Sequence, residues 1–318
     1  MIKYKNIIFQ FFLFLLISSG VYAQNIKIPK AIFIIVDGIP GDVLESTPTP
    51  HLDAIGHYVR AYVGGEAGGI TETPTISAVS YNSLLTGTWA NKHNVWGNDI
   101  VDPDYNYWDI FRIAKNHNPD LKTAIFSTWL DYRTKLLGDG LPEAGGDKLD
   151  YYFDGFEVDE VRFPHDAGAN YILDIDNLVT AEAARYIAEV GPDLSWVYLQ
   201  IADDMGHQYG DSPKQIAAVK LMDQQIGEIW DAIKAREKEN NENWFIIVTT
   251  DHGRDAVTGK DHGGQSPRER TTWIVTNSDK LNDNFNETPA IVDIMPSIVV
   301  HLKLDIPSHI ENNLDGVS

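Results

Sequence analysis

At 318 residues, with 43% hydrophobic content, no cysteine and a formal net charge of −21, the chain is long enough to bury a substantial core and must be stable without disulfides. The missing thiol removes Cys as nucleophile or metal ligand, so such chemistry rests on His, carboxylates and hydroxyls. The negative charge excludes an extended nucleic-acid surface by like-charge repulsion, although a small anion can still bind where divalent cations reverse the local sign.

The N-terminus carries Lys3 and Lys5, an apolar run over 7–17 broken only by Gln10, and then Val21, Tyr22 and Ala23. This order of basic, apolar and small residues predicts a secretory signal over 1–23, leaving 24–318 as a single domain that is exported to the periplasm or secreted. The apolar run is short for a span of roughly 20 residues, so no stable membrane insertion is expected after signal removal. Loss of the two lysines takes the charge from −21 to −23.

Residues 31–36 (AIFIIV) form a continuous apolar, β-branched run closed by Asp37 and Gly38, the pattern of a strand buried on both faces of a parallel sheet. Similar runs occupy 122–127, 196–202, 244–250 and 272–276. From Pro213 onward, Ile216, Val219, Met222, Ile226, Ile229 and Ile233 recur at helical steps behind Ser212 as N-cap. Strands alternating with helices predict a doubly wound α/β sheet, in which ligands gather beyond the carboxyl ends of the strands. The Gly-, Asp- and Tyr-rich stretch 129–176 lacks a sustained period and reads as a pocket-shaping surface insertion, and the charged run 234–243 as a solvated helix end and loop.

Three clusters follow strand ends. Asp37 is the first, Asp203 with His207 the second, and Asp251, His252 and His262 the third. Asp203 and His207 are expected on a loop that Gly206 lets turn, from which both reach one metal. Taken alone, Asp203 reads equally well as a cap and His207 as a solvated residue. The adjacent Asp251 and His252, with His262 in a glycine-rich loop, favour ligation, and six such side chains suit two adjacent divalent metal ions. His51, His57, His93, His117, His165, His301 and His309 lack such a setting and are expected to be structural or surface residues. Between the first two clusters, Thr71, Thr73, Thr75, Ser77 and Ser80 offer hydroxyls among which residue type alone does not choose.

With these residues in place, the chain resembles the alkaline phosphatase superfamily, and within it the nucleotide pyrophosphatase/phosphodiesterase branch. The matching pieces run in family order: Asp37 and Gly38; TPHLDAI at 49–55; PTIS at 74–77 with LTG at 85–87; HNVWGN at 93–98; DDMGH at 203–207; DHG at 251–253; His262; DIMPS at 293–297; and LDG at 314–316. The resemblance implies a three-layer α/β fold with a central, mostly parallel sheet flanked by helices. It implies one metal held by Asp203, His207 and His262 and another by Asp37, Asp251 and His252 together with the nucleophile oxygen, with zinc the usual ion. It places the nucleophile on Ser77, with Thr75 as competitor.

Ser80 stands where the branch usually has a phosphate-holding Asn, with Asn82 close by; these two and Asn98 are the substrate-binding candidates. The segment 77–81 lacks the Pro and Arg of a sulfatase motif, and no Arg occurs between Ser77 and Arg112 to neutralise a monoester dianion. The expected activity is therefore that of a two-metal phosphodiesterase acting on a small phosphorylated substrate, diester or nucleotide-like, through a covalent phospho-enzyme. A phosphomonoesterase or phosphonate hydrolase on the same scaffold, or a metal-binding protein without catalysis, are the alternatives.

Overall fold

Strand β1 (Ile28–Val36) is buried from Lys30 onward, and its side chains alternate between two cores. Ala31, Phe33 and Ile35 enter one, Ile32, Ile34 and Val36 the other. A strand apolar on both faces needs a layer on each side, and the rest of the chain supplies both. The computed structural model describes residues 27–318, so the expected signal at 1–23 lies outside the described residues.

The other strands are β2 (His57–Tyr62), β3 (Thr123–Phe126), β4 (Tyr151–Phe153), β5 (Leu194–Leu199), β6 (Glu242–Thr249) and β7 (Thr271–Thr276). They form one seven-stranded sheet in the order β2-β7-β6-β1-β5-β3-β4. Pairing is parallel from β6 to β4, and antiparallel between β6 and β7 and between β7 and β2. One face is covered by helices including α1 (Ser77–Thr86), which contributes Val79, Leu84 and Leu85 to the core. The opposite face carries α2 (Asn170–Glu189) and α4 (Pro213–Glu239), and between them on the chain lies α3 (Ile201–Tyr209). Helix α5 (Ile294–Leu302) packs on the α1 side through Ile294, Met295 and Ile298.

The expected strands and the α4 stripe are present, and the Ser212 hydroxyl accepts from the Gln215 amide with Pro213 in the first turn. Ile216 departs from the stripe: it is 37% exposed, whereas Val219, Met222, Ile226, Ile229 and Ile233 are buried. The run at 196–202 breaks in two, with β5 ending at Leu199 and α3 starting at Ile201. A remote carboxylate causes this: Asp176, buried in α2, accepts hydrogen bonds from the Gln200 and Ile201 amides and so supplies the cap that the local sequence lacks. Residues 129–176 hold short helical turns, edge strand β4 and the start of α2.

Burial pushes the Asp176 carboxyl up to about 8, against the opposing Ile201 and Gln200 amide bonds. The native state thus holds a proton that the unfolded chain has released, and this group's contribution is full below the ordinary Asp range and lost as pH rises through about 8. In metal-saturated protein, Asp176→Asn is expected to flatten the fall of stability between pH 5 and 7.5 by up to about 1.4 kcal/mol per pH unit. Urea midpoints at the two pH values measure it, and parallel slopes for the two proteins would contradict this account.

Candidate metal centre

Strands β6, β1 and β5 are neighbours running in one direction, with Ile35 beside Thr249 and Val36 beside Leu199. Their carboxyl ends therefore lie side by side at the usual strand spacing of about 4.8 Å. Asp37 follows β1, Asp251 follows β6, and Asp203 sits in the first turn of α3 just past β5. Residues more than 200 positions apart in sequence are thus delivered to one point by sheet register.

Asp37, Asp251 and His252 form one fully buried group. The His252 Nδ1–H donates to the Gly253 carbonyl at 2.9 Å, which directs the Nε2 lone pair toward Asp37 Oδ1 at 3.4 Å and Asp251 Oδ2 at 3.3 Å. Neither carboxylate oxygen has a hydrogen-bond partner. Two buried carboxylate oxygens without a donor and an imidazole nitrogen converge here, and a divalent cation is a species that such a donor set accommodates. Each carboxylate has its other oxygen tied down. Tyr81 and Tyr198 both donate to Asp37 Oδ2 at 2.6 Å, and the Gly38 amide donates to Asp251 Oδ1 at 3.0 Å. Burial, followed by the charges of Asp203 and Asp251, drives the Asp37 carboxyl well above its ordinary range, while burial pushes Asp251 up to about 7.

Asp203, His207 and His262 form the second group. The His262 Nδ1–H donates to the Thr75 carbonyl at 2.8 Å, and its Nε2 faces His207 Nε2 at 3.2 Å. His207 Nε2 in turn lies 3.3 Å from Asp203 Oδ2. The expected loop at 203–207 is helix α3, where a separation of four residues puts Asp203 and His207 on the same face. Gly206 has a different purpose from the turn expected of it: a Cβ there would meet the Arg254 guanidinium at 2.3 Å. Gly38, at φ +63°, is required for a similar reason, since a Cβ would stand 2.3 Å from Asp203 Oδ1.

Among the candidate hydroxyls, Ser77 begins α1 with its Oγ 3.3 Å from His252 Nε2, beside the first group. Thr75 is fully buried and committed twice over: its hydroxyl donates to the Gly264 carbonyl and accepts from the Gly263 amide, both at 2.9 Å. Thr73 bonds Thr71 and Ala90 in the same way, and Thr71 accepts from the Glu66 amide. Ser80 and Asn82, expected at the substrate, are 0% and 3% exposed within α1, so neither presents surface to a bound molecule. Asn98 is exposed, and its Oδ1 holds the Ala78 amide at 3.0 Å, one residue after Ser77.

Sequence reasoning missed Tyr81, Tyr198 and Arg254. Arg254 is completely buried and donates to the carbonyls of Gly38, Lys260 and Asp203 and to Asp203 Oδ1. Burial raises the Asp203 carboxyl, but the His207 hydrogen bond and the Arg254 charge together hold it below the usual range. Arg254 directly follows the DHG segment, and Tyr81 lies one helical turn beyond Ser77; those positions were the only available signals.

A mostly parallel sheet between helical layers, with two donor groups at its carboxyl edge, defines an alkaline-phosphatase-like α/β protein. The fold is shared with murine ectonucleotide pyrophosphatase/phosphodiesterase 5 solved in an inactive form with AMP (TM-score 0.58, 16% identity, 88% of this chain and 96% of that one). It is shared too with a putative sulfatase from Bacteroides thetaiotaomicron (TM-score 0.62, 13% identity, 92% and 74%). The chain belongs to the type I phosphodiesterase / nucleotide pyrophosphatase family, whose profile matches residues 31–297. Family member 5 of the ectonucleotide pyrophosphatase/phosphodiesterases from Homo sapiens is 24% identical over 95% of this chain, which spans 63% of that relative's length. A venom phosphodiesterase from Naja atra is 22% identical over 58% of this chain and 21% of its own.

Proposed function

We propose that the protein is an exported phosphodiesterase of the nucleotide pyrophosphatase type, acting on a small diester or nucleotide-like substrate with Ser77 as nucleophile. The carrying observation is the Ser77 hydroxyl lying against a buried donor group in which one oxygen of each carboxylate is unpaired. Asp37, Asp251 and His252 would hold one divalent ion and Asp203, His207 and His262 a second, zinc in this reading, supplying positive charge to the nonbridging oxygens and lowering the pKa of the attacking hydroxyl.

In the first step the Ser77 Oγ loses its proton and forms a bond to phosphorus while the bond to the leaving oxygen breaks; the leaving oxygen takes up a proton, and phosphorus stays on Ser77 as a phosphodiester that keeps the other ester group. In the second, water attacks phosphorus, the Ser77 Oγ–phosphorus bond breaks, and the serine regains a proton. In this reading Asn98 orients a phosphate oxygen through its side-chain nitrogen, which its exposure and its Oδ1 bond to the Ala78 amide beside Ser77 support. The AMP bound to the murine relative supports a nucleotide-like substrate, and the N-terminal sequence supports export.

A diester is favoured over a monoester by the state of Arg254. This guanidinium spends four of its five N–H groups on Asp203 and three backbone carbonyls and, being completely buried, exposes none to the second negative charge of a monoester. With zinc supplied, hydrolysis of bis-p-nitrophenyl phosphate is expected to exceed that of p-nitrophenyl phosphate by about tenfold or more in kcat/KM. A preference for the monoester would reverse the assignment, and inactivity toward both would remove it.

A further inference from the structure

Arg254 divides the two donor groups electrostatically. The group of Asp37, Asp251 and His252 contains two carboxylates and no neighbouring cationic side chain in hydrogen-bond contact, and its side chains are at most 4% exposed. The group of Asp203, His207 and His262 contains one carboxylate, and that carboxylate is already paired with the buried Arg254 guanidinium. The His207 side chain is 43% exposed. One group therefore offers a divalent ion two carboxylates, whereas in the other the single carboxylate is offset by the charge of Arg254.

We infer that Arg254 is a positioning residue that engages one oxygen of Asp203 and cancels its charge, making Asp203, His207 and His262 the weaker and more readily exchanged of two metal sites. The inference rests on the two-metal reading above. Geometry supports the first half: Arg254 holds Asp203 Oδ1 and the Asp203 carbonyl together, leaving Oδ2 as the oxygen that faces His207. The space for this clamp is reserved by two glycines, since a side chain at Gly38 or Gly206 would collide with the Arg254 guanidinium. Coulomb's law supports the second half, because a fixed positive charge beside a ligand opposes a dication at short range in a site of low dielectric.

The test is calorimetric titration of chelator-stripped protein with zinc chloride, with circular dichroism as a check on folding. Wild type is expected to bind two ions with dissociation constants separated by about tenfold or more. Arg254→Met is expected to tighten the weaker constant by about tenfold and the stronger one by less, whereas Arg254→Lys, which keeps the charge, should retain the weak site. The sign is decisive: loss of an orienting residue alone weakens metal binding by roughly 10–100-fold. Weakened or unchanged binding in Arg254→Met overturns the inference, as does tightening in both variants. Should the Met variant not fold, the wild-type titration still decides, since two equal constants sink the inference while leaving the two-metal reading intact. Failure to bind any ion sinks both.

Discussion

Ser77→Ala is expected to lower kcat for a diester by about 10³-fold or more while leaving the fold and the bound metal in place. The side chain lost is small and lies at the first position of α1, where it makes no capping bond. Its one polar contact is with His252 Nε2 at 3.3 Å, so the change removes the attacking oxygen and little else. No neighbour can take its place. Thr75 is locked between Gly263 and Gly264, Ser80 is sealed inside α1, and Thr73 is bonded to Thr71 and Ala90. Metal content by atomic absorption and single-turnover kinetics check the result together. Retained turnover in a variant with full metal would move the nucleophile elsewhere, and lost metal would contradict the expectation that the donor group holds its ion without the Ser77 hydroxyl.

Removal of metal by a chelator is expected to abolish activity and to cost about 4 kcal/mol of stability for each ion held at about a thousand times its dissociation constant. The physical origin is the burial of Asp37, Asp203 and Asp251 around one point, where the unpaired oxygens of Asp37 and Asp251 lose both water and any hydrogen-bond donor. The sign of the pH dependence follows from the raised carboxyls. Without metal, the proton on Asp251 persists in the native state up to about 7, whereas the unfolded chain releases it near the ordinary Asp value. Stability of the stripped protein therefore declines as pH rises from about 4 through 7, and the gain on adding zinc grows over the same window. Thermal melts of stripped and reloaded protein at pH 5 and pH 8 measure the difference. A zinc effect that shrinks toward pH 8 would contradict the proposed donor state.

Much of the architecture was legible because parallel strands buried on both faces must be apolar throughout. The runs ending at Asp37 and Asp251 announce themselves in that way, as does the 3.6-residue stripe of α4 behind Ser212. Edge strand β2 did not, since its pattern of exposed His57, Tyr58 and Arg60 carries no core signal. The antiparallel direction of β7 was equally hidden, because strand direction depends on the connection and leaves no periodicity behind. Helix α3 was read as loop because its start is capped from α2, by Asp176, at a distance of more than twenty residues.

What the amino-acid sequence determined by itself is the set of chemical groups and their attachment points: carboxylates and imidazoles at strand ends, a hydroxyl-rich segment between them, and no thiol. Tertiary structure decided which of those groups meet and in what state. The register of β6, β1 and β5 set the two donor groups side by side, and burial withdrew Ser80 and Asn82 while committing Thr75 to the backbone. Tyr81, Tyr198 and Arg254 gained their parts only there, because hydrogen bonds to Asp37 and Asp203 span 44, 161 and 51 positions of chain. Contacts of that range depend on packing geometry, for which a one-dimensional pattern has no signature.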